Sequence, residues 1–226
     1  MADLTVRINR IVPDSYVDGP GRRVAVFFQG CSIGCRGCQN RALWPGAGGE
    51  VVAVADLADR LLAECDRAGH RNITISGGEP FDQPAALAAL TRLLKSAGAH
   101  LIVHTGNVYE ELALRRHPST SSGSISGQTQ NPATAEALAD IDILVDGPYI
   151  IGQDSPNMQY RGSRNQRPLD LAATRREGRL VTLDWDRPEL IITHDGRVLA
   201  SGPLAEVLAG WGLGETGPAR RCGQTN

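Results

Sequence analysis

Apolar residues along this chain fall into short unbroken runs, alternating with stretches in which they recur at helical spacing. Val24–Phe28 (VAVFF) reads as a buried strand that ends at Gln29-Gly30. In Val54–Arg67, Leu57, Leu61, Leu62 and Cys65 recur at the period of a helix. Ile73–Ser76 (ITIS) predicts a second strand, closed by Gly77-Gly78. A helix follows, with Asp82 suited to cap it, Pro84 to its first turn and Gly98 to its end. Leu101–His104 (LIVH) predicts a third strand and Val108–Arg116 a short helix stopping before Pro118. Ala133–Ala139 predicts another helix, and Ile141–Val145 (IDILV) a fourth strand.

Strand, loop and helix in repeated order imply right-handed βαβ units and a parallel sheet. The strands are apolar nearly throughout, as they must be when both faces are covered. A closed eight-unit barrel takes about 250 residues. With 226 residues, some of them in loops and a tail, the expected fold is α/β: an incomplete, TIM-like barrel of parallel strands. The expected division is a domain over residues 1–178 and an extension over 179–226. The extension carries a hairpin signal, Asp195-Gly196 between Leu190–Thr193 and Val198–Ala200, together with a short helix, and frays from about Gly212. His117–Asn131 (HPSTSSGSISGQTQN) has almost nothing apolar and reads as a mobile polar loop.

Composition narrows the function. The formal net charge is -2, which gives no reason to expect nucleic acid or an anionic membrane as a partner. No apolar run spans a bilayer, and the first ten residues lack the apolar block of a signal peptide, so a cytoplasmic protein is expected. The five cysteines are odd in number, and three are crowded together, which points to metal or redox chemistry rather than disulfides. Cys65 lies in a helical apolar pattern as a small core residue, and Cys222 in a polar tail.

The crowded three form Cys31-Ser-Ile-Gly-Cys35-Arg-Gly-Cys38, directly after the first strand. Loops at the C-terminal ends of parallel strands form the active face of such folds. A closed zinc site or an ordinary electron-transfer cluster takes four protein ligands. Three cysteines on a four-iron cube leave one iron open to a substrate or cofactor. On spacing alone, a zinc ion completed by His70 or His104 stays open as an alternative, as do three unligated thiols.

The spacing resembles that of the radical SAM superfamily, and the resemblance extends beyond it. Ser15-Tyr-Val-Asp18-Gly19-Pro20-Gly21-Arg22 precedes the cysteines, Phe28-Gln29-Gly30 leads into them, and Gln39-Asn40 and Trp44 follow. Then come Ile75-Ser76-Gly77-Gly78-Glu79-Pro80-Phe81, Thr105-Gly106, Leu144-Val145-Asp146-Gly147-Pro148 and Arg161-Gly162-Ser163-Arg164-Asn165-Gln166. The order is similar to that of the glycyl-radical-enzyme activases, the last two segments most of all to the anaerobic ribonucleotide reductase branch. The resemblance spans residues 5 to 170 and departs from compact relatives at 117–131 and after 179.

The resemblance implies a [4Fe–4S] cluster on Cys31, Cys35 and Cys38, with S-adenosylmethionine on the open iron. It implies cleavage to a 5′-deoxyadenosyl radical and abstraction of hydrogen from a backbone glycine of a partner enzyme. It also implies a flavodoxin- or ferredoxin-like electron donor. Gly77, Gly78 and Glu79 would hold the methionine amino group, with Thr105 and Asp146 at the same pocket. For Asp146 a plain turn before Gly147-Pro148 stands as an equal reading. His104 reads as a hydrogen-bonded structural residue. Asp18–Gly21 reads as a tight turn that also matches the family signature near the active site. Arg161–Gln166 is open between contact with the cofactor, contact with a partner's loop, and solvation.

Overall fold

The structure is a computed structural model and describes residues 4–114, 131–154, 158–185, 189–192 and 198–201. The polar stretch 117–131, apart from Asn131, lies outside the described residues, as do Cys222, most of the extension and its expected helix.

One seven-stranded sheet organises the chain. Its strands are β1 (Thr5–Ser15), β2 (Arg23–Phe28), β3 (Glu50–Ala53), β4 (Asn72–Gly77), β5 (His100–His104), β6 (Ile143–Asp146) and β7 (Arg167–Asp170). Across the sheet the order is β3-β1-β2-β4-β5-β6-β7, and the two ends do not meet. The central four, β2, β4, β5 and β6, are parallel, as the apolar runs predict. The flanking strands β1, β3 and β7 are antiparallel, so the sheet is mixed and open rather than wholly parallel. Two further strands, β8 (Glu189–Ile192) and β9 (Val198–Ser201), pair antiparallel where the hairpin signal stands.

Helices α1 (Val54–Ala68), α2 (Pro84–Ser96), α3 (Tyr109–Leu114) and α4 (Pro132–Asp140) connect the strands, and α5 (Leu171–Glu177) follows β7. Helix α1 buries Val54, Leu57, Ala58, Leu61 and Cys65, a single stripe at three- and four-residue steps, and ends at left-handed Gly69. Pro84 opens α2 as expected. Asp82 does not cap that helix: Gln83 holds the cap position, and Asp82 ends a preceding 3-10 turn over Pro80–Asp82.

The period-two geometry of strands sends alternate side chains to opposite faces. Val24, Val26, Phe28, Ile73, Ile75, Leu101, Val103 and Leu144 meet the helices in one core. On the other face, Ala25 and Phe27 pack with Leu43, while Ile102, Ile143 and Val145 pack with Trp185. Trp185 arrives on a segment tied to β7 by hydrogen bonds from Asp170 N to Val181 O (2.9 Å) and Leu183 N to Pro168 O (2.8 Å).

A buried guanidinium fastens the second face. Arg23 is 1% exposed and donates to Thr74 Oγ1 (2.7 Å), Ile73 O (2.8 Å) and His100 O (3.0 Å). Thr74 in turn donates to Asp18 O (2.8 Å), which seats the Asp18–Gly21 turn on the sheet.

The packing of α2 yields a prediction. Leu90 is fully buried and Leu93, on the same helix, is 44% exposed. Leu90→Ala lowers the unfolding free energy by about 2–5 kcal/mol, and Leu93→Ala by roughly 0.5 kcal/mol or less. Urea unfolding of the metal-free protein measures both, and similar losses in the two would contradict this packing.

Candidate metal centre

The cysteine loop leaves β2 and returns to it. Gly30 N donates to Leu43 O (2.8 Å) and Cys31 N to Trp44 O (3.1 Å), closing the base of the loop. Within it, Cys38 N donates to Cys35 O (3.1 Å) and Asn40 N to Cys38 Sγ (3.3 Å). Gly37 takes a left-handed φ of 82°, and a side chain there would sit 2.9 Å from Ile151 Cδ1. Ser32 anchors the outer edge, donating from N (2.6 Å) and Oγ (2.7 Å) to the Asp82 carboxylate.

Cys31, Cys35 and Cys38 are free, half-buried and line one cleft. Burial pushes the Cys31 and Cys35 thiols up, so they are protonated at neutral pH and release protons when they bind metal. Cys65 is buried against the helices, in the core.

Across the cleft stand Gly77, Gly78, Glu79, Thr105 and Gly106. Gly78 N donates to Phe28 O (2.8 Å) and Glu79 N to Gly30 O (2.8 Å), so β4's end is bound to β2's. A side chain at Gly78 would lie 2.7 Å from the Gly30 carbonyl carbon and collide with its oxygen. The two chains can therefore lie this close only if residue 78 is glycine.

Glu79 is 1% exposed. Its carboxylate accepts from Phe81 N (3.0 Å), Thr105 Oγ1 (2.8 Å) and Gly106 N (2.8 Å). Burial pushes its pKa up to about 7, against the pull of those three donors. Thr105 Oγ1 also accepts from Asn107 N (3.0 Å) and Nδ2 (3.1 Å), so its hydroxyl is saturated by the protein.

Asp146 is not part of the cleft wall. It is 1% exposed, and its carboxylate accepts from Tyr109 N (2.7 Å) and from Arg167 Nε (2.9 Å) and Nη2 (2.5 Å). Arg167 extends the pairing to Glu110 and holds its carboxyl below the usual range. The structure thus places Asp146 in an ion-pair brace behind the strand ends. Arg161–Gln166 folds back on β6's exit. Gln166 Oε1 accepts from Gly162 N (2.7 Å), and Asn165 Nδ2 donates to Pro148 O (2.7 Å). Gly162, Gln166 and Tyr149 complete the cleft.

The two histidines separate. His70 follows α1 at the opposite end of the sheet, its Nδ1 accepting from Asn72 N (3.2 Å). His104 lines the cleft, with burial driving its imidazole pKa down to about 4, so it is neutral at pH 7. Among the described residues, no three His, Cys, Asp or Glu converge closely enough to hold a single metal ion.

The pattern of the 4Fe–4S single cluster domain family matches residues 17–169. That span is well over half of the chain and contains the cysteine loop and the opposing wall. The chain belongs to this family.

Two named relatives match parts of this chain. One is the pyruvate formate-lyase-activating enzyme of Clostridium pasteurianum, 40% identical over 114 residues. The match covers 47% of this chain and 47% of that enzyme, so the chain spans about half of that relative's length. The other is the anaerobic ribonucleoside-triphosphate reductase-activating protein of Vibrio cholerae serotype O1, 29% identical over 161 residues. Here the match covers 68% of this chain and 91% of the relative. The resemblance read from the motifs is borne out by these matches. Among solved structures, QueE from Escherichia coli aligns over 63% of this chain and 70% of its own, at 21% identity and a TM-score of 0.36. That likeness is too slight to argue from.

Donor chemistry fits a cluster in the cleft. Trp44 Nε1 and His104 Nε2 are buried and without a hydrogen-bond partner, and both residues line the cysteine cleft. Buried polar atoms without partners are costly, on the order of 1–3 kcal/mol each, and a polar group bound against either one relieves its cost.

Glu79 gives a pH prediction. Its folded-state pKa of about 7 exceeds the ordinary 4.5, so its contribution to stability is full below 4.5 and is lost as pH rises to 7. Glu79→Gln removes that titration. The stability difference between the two metal-free proteins moves towards the variant by on the order of 3 kcal/mol across this range. Denaturant unfolding at several pH values checks it, and a difference independent of pH would contradict it.

Proposed function

We propose that this protein is a radical SAM activase that reductively cleaves S-adenosylmethionine at a [4Fe–4S] cluster and installs a glycyl radical on a partner enzyme. An anaerobic ribonucleotide reductase is the partner we favour. The observation that carries this reading is one cleft with three cysteines on one wall and the Gly77-Gly78-Glu79 turn on the other. The relatives' names support the reaction class, and the branch is supported by the relative of which the chain covers 91%.

In this reading Cys31, Cys35 and Cys38 hold the cluster, and their half-burial limits access of water to it. When bound and reduced, the cluster supplies the electron that breaks a sulfur–carbon bond of S-adenosylmethionine. The Gly77–Gly78 backbone offers peptide groups to the amino acid end of that molecule, close to the strand end where no side chain intervenes. Glu79 braces the wall and, in its ionised form, supplies negative charge to the same end. Thr105 acts through Glu79, and Asp146 acts by fixing the exits of β5 and β6, both as positioning residues. His104 presents a neutral ring to the cleft and is no proton donor at pH 7.

The wider reading follows the same lines. The open sheet is taken as an arc of an incomplete barrel, supported by its four central parallel strands and the helices along one face. Residues 1–178 form the catalytic domain and 179–226 an extension. A flavodoxin- or ferredoxin-like protein delivers the electron in the cytoplasm, with no nucleic acid or membrane involved. Among the described residues no helix is long and apolar enough to cross a membrane.

Anaerobic reconstitution tests the proposal. The wild-type protein takes up about four irons per chain and, when reduced, releases 5′-deoxyadenosine from S-adenosylmethionine. Cys35→Ala loses iron and product together, whereas Cys65→Ala retains both. Equal iron loss in the two variants, or no 5′-deoxyadenosine from the loaded wild type, overturns the assignment.

A further inference from the structure

The tryptophan at the end of the cysteine loop has a role that the site described so far does not use. Trp44 lies six residues beyond Cys38, and its carbonyl accepts from Cys31 N, so the loop's last turn is pinned beside its first cysteine. The Arg41 guanidinium lies 5.3 Å from the centre of the indole ring and holds the ring from outside. The indole Nε1 is nevertheless buried with no acceptor. An indole N–H can only donate. Burying it without a partner costs on the order of 1–3 kcal/mol. A loop shaped only for packing would be served equally well by phenylalanine.

Position says which acceptor it serves. Trp44 lines the cleft that holds all three cysteines, and also a second cleft bordered by Arg7, Gln29 and Gln83. Of the three cysteines, Cys31 alone is shared by both clefts. The second cleft contains neither the Gly77–Glu79 turn nor Thr105 and Gly106. Trp44 therefore stands on the Cys31 side of the site, where the acceptors a cluster brings are thiolate and sulfide sulfurs.

We infer that the Trp44 N–H donates a hydrogen bond to a sulfur of the cluster held by this loop and thereby sets its reduction potential. The inference rests on the cluster assignment proposed above. One-electron reduction adds negative charge to the cube and its sulfurs. A donor aimed at a sulfur stabilises the reduced form more than the oxidised one, so it raises the potential and eases electron uptake.

The test uses the full-length protein, reconstituted anaerobically and reduced with dithionite. Protein labelled with 15N in the tryptophan indole is compared with Trp44→Phe carrying the same label. Hyperfine spectroscopy of the reduced cluster is expected to show a 15N coupling in the first protein that vanishes in the second. Trp44→Phe keeps the aromatic stack and its iron, while its midpoint potential becomes more negative. The expected change in the reduction equilibrium is up to about tenfold, or 59 mV for one electron. A normal cluster signal without any 15N coupling, or with a coupling that survives in Trp44→Phe, overturns the inference and leaves the proposed function intact. An unchanged potential in iron-replete Trp44→Phe also overturns it. Failure of the wild type to assemble a cluster overturns both.

Discussion

The buried carboxylate of Glu79 is the interaction on which the site depends. Three parallel strands end beside one another, and nothing in the sheet itself fixes how their outgoing loops sit. Glu79 reaches from the end of β4 to Thr105 and Gly106 beyond β5, while its own amide holds Gly30 beyond β2. Three loops become one wall and one floor. The carboxylate accepts three hydrogen bonds and still carries a raised pKa, so burial outweighs its partners. The fold accepts that cost for rigidity next to the cysteines.

Around this brace the rest is arranged in pairs of locks. Gln83 ties β1 to the entrance of the cysteine loop through Arg7 N, Arg7 O and Gln29 O, and Gln29 joins Asn9 of β1 to Pro45 O at the loop's end. Asp82 holds Ser32 from the 3-10 turn. Asp146, Arg167 and Glu110 hold the far side. Each lock joins residues distant in sequence. The cysteine loop, with few apolar side chains of its own, is thus shaped by what surrounds it.

The sequence made the central strands visible because strands covered on both faces cannot avoid apolar runs. It hid β1, whose TVRINRIVPDS mixes arginine, asparagine and proline into a strand paired on both sides. It hid β7 too, since RPLD is four residues long with a proline at its second position. That the three cysteines and the Gly-Gly-Glu turn lie near strand ends was legible, because crowded cysteines and a glycine pair after an apolar run are visible as residue types, and the structure brings them to one cleft. The use of Asp146 was not, since its partner Arg167 lies 21 residues on and reaches it only through the antiparallel pairing of β6 with β7. The orphaned Trp44 nitrogen was likewise invisible, as a missing partner has no sequence signature.

The central claim is a four-iron cube held by three cysteines, its remaining iron free to take S-adenosylmethionine. Mössbauer spectroscopy of the 57Fe-reconstituted protein tests this directly. The account predicts that adding S-adenosylmethionine shifts the signal of one iron in four and leaves the other three unchanged. Four irons that remain alike and indifferent to S-adenosylmethionine would contradict it.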